Sequence, residues 1–467
     1  MRGCHLKVIM ENFIIKNRTF RTFVCIASIF AVLAIGIFLR TNSFYLRHNT
    51  GDQRAYVGVA AKLDHLGFSE YNLRRINIAP DEDFLIYSIA DKNDEGDLMR
   101  QLKKEGTSFY DLPLFHAPPL FAYAIMLSHR LFADGKPYRV VYYNESKEEI
   151  TKTRPKNKLY GQFYCTIIPI FFNCLTILFC FLLGKFLFSA RIGILSALLM
   201  AVSPASILAS QRIWADEVLT FFILATMLFW YLAVYRNSLF FSILTGCSYG
   251  LSFLTKDSSL LLFLPLIACL YISPEDNVRT KIPKIDLKLV LFIIITVLIT
   301  LPWYLTVIKH YGTPFYNPHE AGISSRVQWF AFIKQRPWYT YLFGIPFQVP
   351  IYVIGYIGIL IAMFKLTKDR KGLFLAVWFL SYLIILTITT KMNEMLGPDH
   401  RYMLPAYPAL AILSSKYIDT IRIKINNKTH ILFGNLLVLI VLIVSCYWSV
   451  KVGTYYSITR DEIMFPF

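Results

Sequence analysis

Asp52 and Asp216 stand 164 positions apart, each just outside an apolar run. Asp52 lies in Thr50-Gly51-Asp52-Gln53-Arg54-Ala55-Tyr56, shortly after the first such run. A carboxylate there can accept a proton from an attacking hydroxyl, or orient it, without a metal if the hydroxyl comes within hydrogen-bonding reach. The plainer role is a solvated group or a helix cap. Asp216 and Glu217 follow Gln211-Arg212-Ile213-Trp214-Ala215 at the start of another apolar run. Acids in that position suit the positive end of a helix. They also suit a site that orients hydroxyl groups or holds a divalent metal, although two acids do not identify a metal.

Cations accompany these acids. Lys256 and Asp257 occur in Leu254-Thr255-Lys256-Asp257-Ser258 between two apolar runs. Lys256 either snorkels to a membrane surface or neutralises a phosphate. Asp399-His400-Arg401-Tyr402 precedes Pro405 and Pro408. Arg401 can supply a forked phosphate clamp, His400 an acid/base group or a metal ligand, and Tyr402 an interface anchor. His116, next to Pro118 and Pro119, can border a substrate path, and residues 309–339 carry enough aromatic and polar groups to cap one.

These groups need a scaffold, and composition says which kind. Of the 467 residues 55% are hydrophobic, and the runs 22–39, 162–183, 289–308, 340–364 and 431–450 are nearly free of charge, which marks an integral membrane protein. The net charge of +18 sits mostly in short connectors, so it reads as an orientation signal and not as a nucleic-acid surface. The eight cysteines show no short metal-ligand spacing.

The expected fold is a single all-α polytopic domain over 1–467 with eleven membrane helices: 22–39, 162–183, 191–209, 217–235, 238–254, 258–272, 289–308, 340–364, 372–389, 402–415 and 431–450. Residues 117–133 are expected to lie along the interface. Making them a twelfth span would place seven basic residues between 136 and 158 inside, but fifteen in the later connectors outside. With eleven spans, the N-terminus is cytoplasmic. The first loop at 40–160, a cap loop at 309–339 and a tail at 451–467 are extracytoplasmic, on the same side as Asp52, Asp216, Lys256 and Arg401.

Gly51-Asp52, Pro118-Pro119-Leu120, Arg212 before Asp216, Leu254-Thr255-Lys256, Pro302-Trp303-Tyr304 and Arg401-Tyr402 occur in that order along the chain. The pattern resembles the GT-C superfamily of membrane glycosyltransferases, especially the branch of protein O-mannosyltransferases and the bacterial lipid A aminoarabinose transferase. The resemblance implies transfer of a sugar from a polyprenyl-phosphate donor to an extracytoplasmic acceptor, with Asp52 as the catalytic acid of the first external loop. It makes Asp216, with Glu217, the second external acidic position. Lys256, Arg401 and Tyr402 become donor-phosphate residues, and His116, Arg212, Asp257, Asp399 and His400 substrate-side candidates. A divalent metal, if one is held, would fall to Asp216 and Glu217. Gln53 departs from the pattern, since related proteins often carry a second acid there. The rival reading is a transporter or flippase of lipid-linked sugars, which would also explain many spans and intramembrane charge.

Overall fold

Apolar runs in lipid must satisfy their own backbone, so they fold as helices. The computed structural model describes residues 18–41, 56, 60, 118–132, 138–143, 149–154, 162–270, 287–311, 339–365, 368–392, 400–428 and 431–459. Asp52, His116, Asp399 and positions 312–338 of the cap loop lie outside the described residues. The helices are α1 (Arg18–Thr41), α2 (Leu120–Phe132), α3 (Gln162–Leu187), α4 (Ala190–Ala201), α5 (Pro204–Ser210), α6 (Asp216–Tyr235) and α7 (Leu239–Phe253). They continue with α8 (Phe263–Leu270), α9 (Leu287–Tyr311), α10 (Thr340–Gln348), α11 (Tyr352–Phe364), α12 (Arg370–Met392), α13 (Tyr407–Lys428) and α14 (Ile431–Thr459). Short 3-10 turns, Asp257–Leu262 and His400–Ala406, precede α8 and α13.

The described fold is helical except for an antiparallel hairpin, Tyr138–Tyr143 with Glu149–Arg154, inside the long first loop. Every one of the eleven apolar segments falls on helix, yet only α1, α3, α6, α9, α12 and α14 are long and apolar enough to cross a membrane, or seven spans if the bent pair α4–α5 counts as one. Pro204 opens α5 at a 60° bend, and α10 stops before Pro350, because proline removes a backbone donor and breaks the ladder. Residues 451–459 of the expected tail continue α14. As expected, 117–133 contains a helix, and its 13 residues rise only about 20 Å, short of a bilayer core.

The core lies between helices, and apolar side chains also cover the outside. Phe23, Phe30 and Phe38 of α1 point outward, while Ile29, Val32, Gly36 and Arg40 form its buried stripe. Gly36 lets α1 approach α3 closely, since a Cβ there would meet Ile177 Cδ1 at 2.8 Å. The α6 helix is enclosed by α3, α7 and the His400–Ala406 turn. Asn237, in the left-handed region at φ 51°, turns the chain from α6 into α7, and asparagine tolerates that conformation.

The polar groups separate by end. At the start of α6, Lys256 reaches Asp216, and Gln211 donates to the Leu39 and Arg40 carbonyls at the end of α1. At the other end of α6, Arg236 lies over Phe186, Lys371 donates to Leu187 O, Lys416 and Tyr417 bond Asp369, and Arg191 and Arg422 pair with Asp419. A 20-residue helix spans about 30 Å, so the two sets belong to opposite ends of the bundle.

Candidate active site

The site grows from four breaks in helical structure that meet at one end. The first is the tight loop between α5 and α6, where Arg212 N donates to Ala209 O and Trp214 N to Arg212 O. It delivers Asp216 and Glu217 to the first turn of α6, where the helix dipole favours negative charge. The second is the turn after α7, in which Lys256 N donates to Ser252 O and Ser259 Oγ to Lys256 O. The third is the His400–Ala406 turn. The fourth is the start of α2, where Leu120 N donates to Leu254 O at 2.9 Å.

Lys256 Nζ lies 2.7 Å from Asp216 Oδ1, with the lysine side chain 28% exposed and the aspartate side chain 4%. The ammonium therefore keeps an open side while its counter-ion is enclosed. Burial is the largest single influence and lowers the Lys256 pKa, but the Asp216 carboxylate and Tyr402 together hold the group above the ordinary lysine value. Lys256 also sits 4.6 Å from the centroid of the Tyr402 ring. Arg401 lies over the same ring at 4.9 Å, donates to Tyr402 Oη at 3.0 Å, and lies over Trp214 at 4.5 Å. Arg212 lies over Trp214 at 4.7 Å. Three cations, one acid and two aromatic rings thus share one cluster. Such a group is built to receive an anion, because aromatic faces hold cations together without neutralising them.

Asp216 and Glu217 do not act as a pair. Neighbouring helix positions point about 100° apart, and Glu217 is fully buried away from Lys256. The charge opposite it is Arg40, with Asn173 and Ser206 as polar neighbours. None of these reaches hydrogen-bond geometry with its oxygens. Arg40 is itself fixed to Gly36 O, Ala201 O and Ser206 Oγ at 2.9, 2.8 and 3.2 Å, and Asn173 Nδ2 meets Ser206 Oγ at 2.5 Å. With one carboxylate tied to Lys256 and the other facing Arg40, the two do not fit a shared divalent metal. Among the described residues no three His, Cys, Asp or Glu side chains converge as ligands.

Asp257 accepts a 2.8 Å hydrogen bond from Tyr304 Oη beside the cluster. His400 is 1% exposed and packs edge-on to Tyr341, so it is walled into the core next to Arg401. The first loop reaches the site through Tyr56, buried edge-on to Phe121 at 4.8 Å in a cluster with Ile213, Ala215 and Val218. Sequence reasoning gave no role to Trp214, Arg40, Asn173 or Ser206. An arginine at the end of an apolar helix was the one visible signal, since an unsnorkelled charge there needs a partner.

The helical bundle is similar in fold to solved membrane glycosyltransferases. Residues 160–303 match the dolichyl-phosphate-mannose-protein mannosyltransferase family. An uncharacterised protein of Aquifex aeolicus (strain VF5) is 25% identical over 298 residues, 63% of this chain and 56% of that protein. The chain therefore matches little more than half the length of that curated relative. Among solved structures, ArnT from Cupriavidus metallidurans bound to undecaprenyl phosphate superposes with a TM-score of 0.53 at 13% identity, over 95% of this chain and 76% of that one. The Archaeoglobus fulgidus oligosaccharyltransferase in its apo form gives 0.58 at 13% identity, over 95% and 57%. At such identities the likeness is one of fold, and it makes this chain a multi-pass membrane protein.

Proposed function

We propose that this protein is an inverting glycosyltransferase that moves a sugar from a polyprenyl-phosphate donor to an extracytoplasmic acceptor. The observation that carries this reading is the convergence of Arg212, Lys256 and Arg401 around Trp214 and Tyr402, with Asp216 paired to Lys256. A long isoprenoid can stay in lipid while its phosphate meets those cations, so no nucleotide-binding domain is needed. The relatives point the same way: ArnT has been solved with undecaprenyl phosphate, and the archaeal oligosaccharyltransferase AglB with an inhibitory peptide and a dolichol-phosphate.

In the reaction, the acceptor hydroxyl oxygen forms a bond to the anomeric carbon as the bond from that carbon to the phosphate oxygen breaks. The hydroxyl proton passes to Asp52, and polyprenyl phosphate leaves with the bonding electrons toward the cations. One direct displacement inverts the anomeric centre. Tyr56, four residues after Asp52, is buried against Phe121 and next to Ile213 and Ala215. Four residues of any backbone reach at most about 14 Å, which supports a place for Asp52 beside the Asp216 end of the bundle. The acidic position at Asp216 serves as the counter-ion that aims Lys256.

Lys256→Ala and Arg401→Ala are each expected to weaken binding of polyprenyl phosphate about 10- to 100-fold, the scale of one charge-assisted hydrogen bond. Isothermal titration in nanodiscs measures this, and unchanged affinity in both variants would remove the phosphate site from this cluster. The flippase reading fares worse because the described cations and acids gather at the two ends instead of lining a path between them. Liposomes loaded with donor separate the two: new glycosidic product supports transfer, and lipid movement without product supports transport.

The orientation proposal puts the Asp216 end outside, with eleven crossings and α2 along the interface. The concentration of Lys185, Arg191, Arg236, Lys288, Lys365, Lys368, Lys371, Lys416 and Arg422 at the other end supports a cytoplasmic assignment for that end. Cysteines introduced at 147 and 284 are expected to label from opposite sides in intact cells. Labelling of both by the same impermeant reagent would overturn the eleven-span topology.

A further inference from the structure

We infer that the indole Nε1 of Trp214 is a further ligand of the donor phosphate, an inference that rests on the phosphate site proposed above. Trp214 is 3% exposed, and its Nε1 has no hydrogen-bond partner among the described residues. An indole N–H can only donate, and a buried donor left unpaired carries a desolvation penalty. Its complement must be an acceptor, and the neighbourhood says of which kind. The guanidiniums of Arg212 and Arg401 lie over the ring at 4.7 and 4.5 Å, and Arg401 also contacts Tyr402, whose ring carries Lys256. Asp216 pairs with Lys256, and the cations gathered at the ring favour a negatively charged acceptor. An acceptor arriving among three cations is therefore anionic, and a phosphoryl oxygen is the group that can take an N–H and several cationic donors at once.

The backbone supports the same role. Trp214 N donates to Arg212 O at 2.9 Å, which fixes the indole and the Arg212 side chain in one tight loop directly before Asp216. The indole thus has two tasks: its face holds the arginines in place and its edge reads the anion. Removing the edge while keeping the face separates them.

Trp214→Phe retains an aromatic face for the guanidiniums and deletes the donor. Titration of the full-length protein in nanodiscs with a polyprenyl phosphate, and in parallel with the corresponding polyprenol, reads the effect. The expected result is about 10-fold weaker binding of the phosphate, the scale of one hydrogen bond to a charged group, with polyprenol affinity and thermal unfolding unchanged. Benzothienylalanine at 214, which replaces N–H by sulfur in the same ring shape, should behave like Phe and guards against a packing effect of the smaller ring. Wild-type affinity in both variants, with Lys256→Ala and Arg401→Ala still impaired, overturns the role of Trp214 and leaves the phosphate site standing. Equal loss for phosphate and polyprenol also overturns it, because that outcome belongs to packing. Normal binding in all four variants overturns the phosphate site itself.

Discussion

Replacing Asp52 by asparagine is expected to lower turnover about 10²- to 10⁴-fold, the usual contribution of a positioned general base, with donor affinity within twofold of wild type. Asparagine keeps the size and hydrogen-bonding reach of the side chain and removes its basicity. The split between turnover and binding follows from the division of labour proposed here: Asp52 acts on the acceptor hydroxyl, while Arg212, Lys256, Arg401 and Trp214 meet the phosphate. Single-turnover product formation from lipid-linked sugar, with donor binding measured separately, tests it. Turnover unchanged in Asp52→Asn would remove this residue from the mechanism, and a loss confined to donor binding would reassign it to the phosphate site.

The largest effect on stability is expected at Arg40, which the proposed chemistry does not use directly. Arg40 is fully buried between α1, α4 and α5, and it holds Gly36 O, Ala201 O and Ser206 Oγ while facing the buried carboxylate of Glu217. Arg40→Ala leaves that carboxylate without the counter-charge facing it and removes the side-chain bonds to Ala201 O and Ser206 Oγ. Breaking a buried pair from one side typically costs about 3–5 kcal/mol. Glu217→Gln in the same background should recover part of the loss, because a neutral amide needs no counter-charge. Thermal unfolding of the two single variants and the double variant in detergent gives the coupling directly. Strict additivity would show that Arg40 and Glu217 do not interact, and that Arg40 matters only as a brace for carbonyls.

The same network bears on the site. Arg40 and Gln211 join the end of α1 to the loop that carries Trp214 and Asp216, and Leu120 joins α2 to the turn that carries Lys256. The segment that carries Asp52 follows α1, so in the proposed reaction the elements that would present acceptor and donor are braced to one another.

Much of this was open to inspection in the sequence, because the membrane leaves few choices. Apolar runs without charge must be helices, so the eleven segments fall on helix where they are described, and Pro405, a sign of irregular helix in the sequence, lies in the short His400–Ala406 turn. Charge in the connectors predicted that Asp216, Lys256 and Arg401 would share one end, and they do. Chain order does not say which helices are whole spans. The 15 residues of α7 and the 13 of α11 are too short to cross upright, and only the packed bundle shows what they lie against.

Side-chain partnership was decided by tertiary structure alone. Asp216 and Glu217 are adjacent in the chain and looked like one paired site, but a helix turns about 100° per residue, so one meets Lys256 forty positions on and the other faces Arg40 far upstream. Trp214 had no role legible in the sequence, and the packed structure sets Arg212 and Arg401 over its ring. Residue type and hydrophobic period are local properties that a sequence carries openly. The identity of the residue opposite a buried charge depends on how separate helices rotate and pack, and that emerges only when the bundle closes.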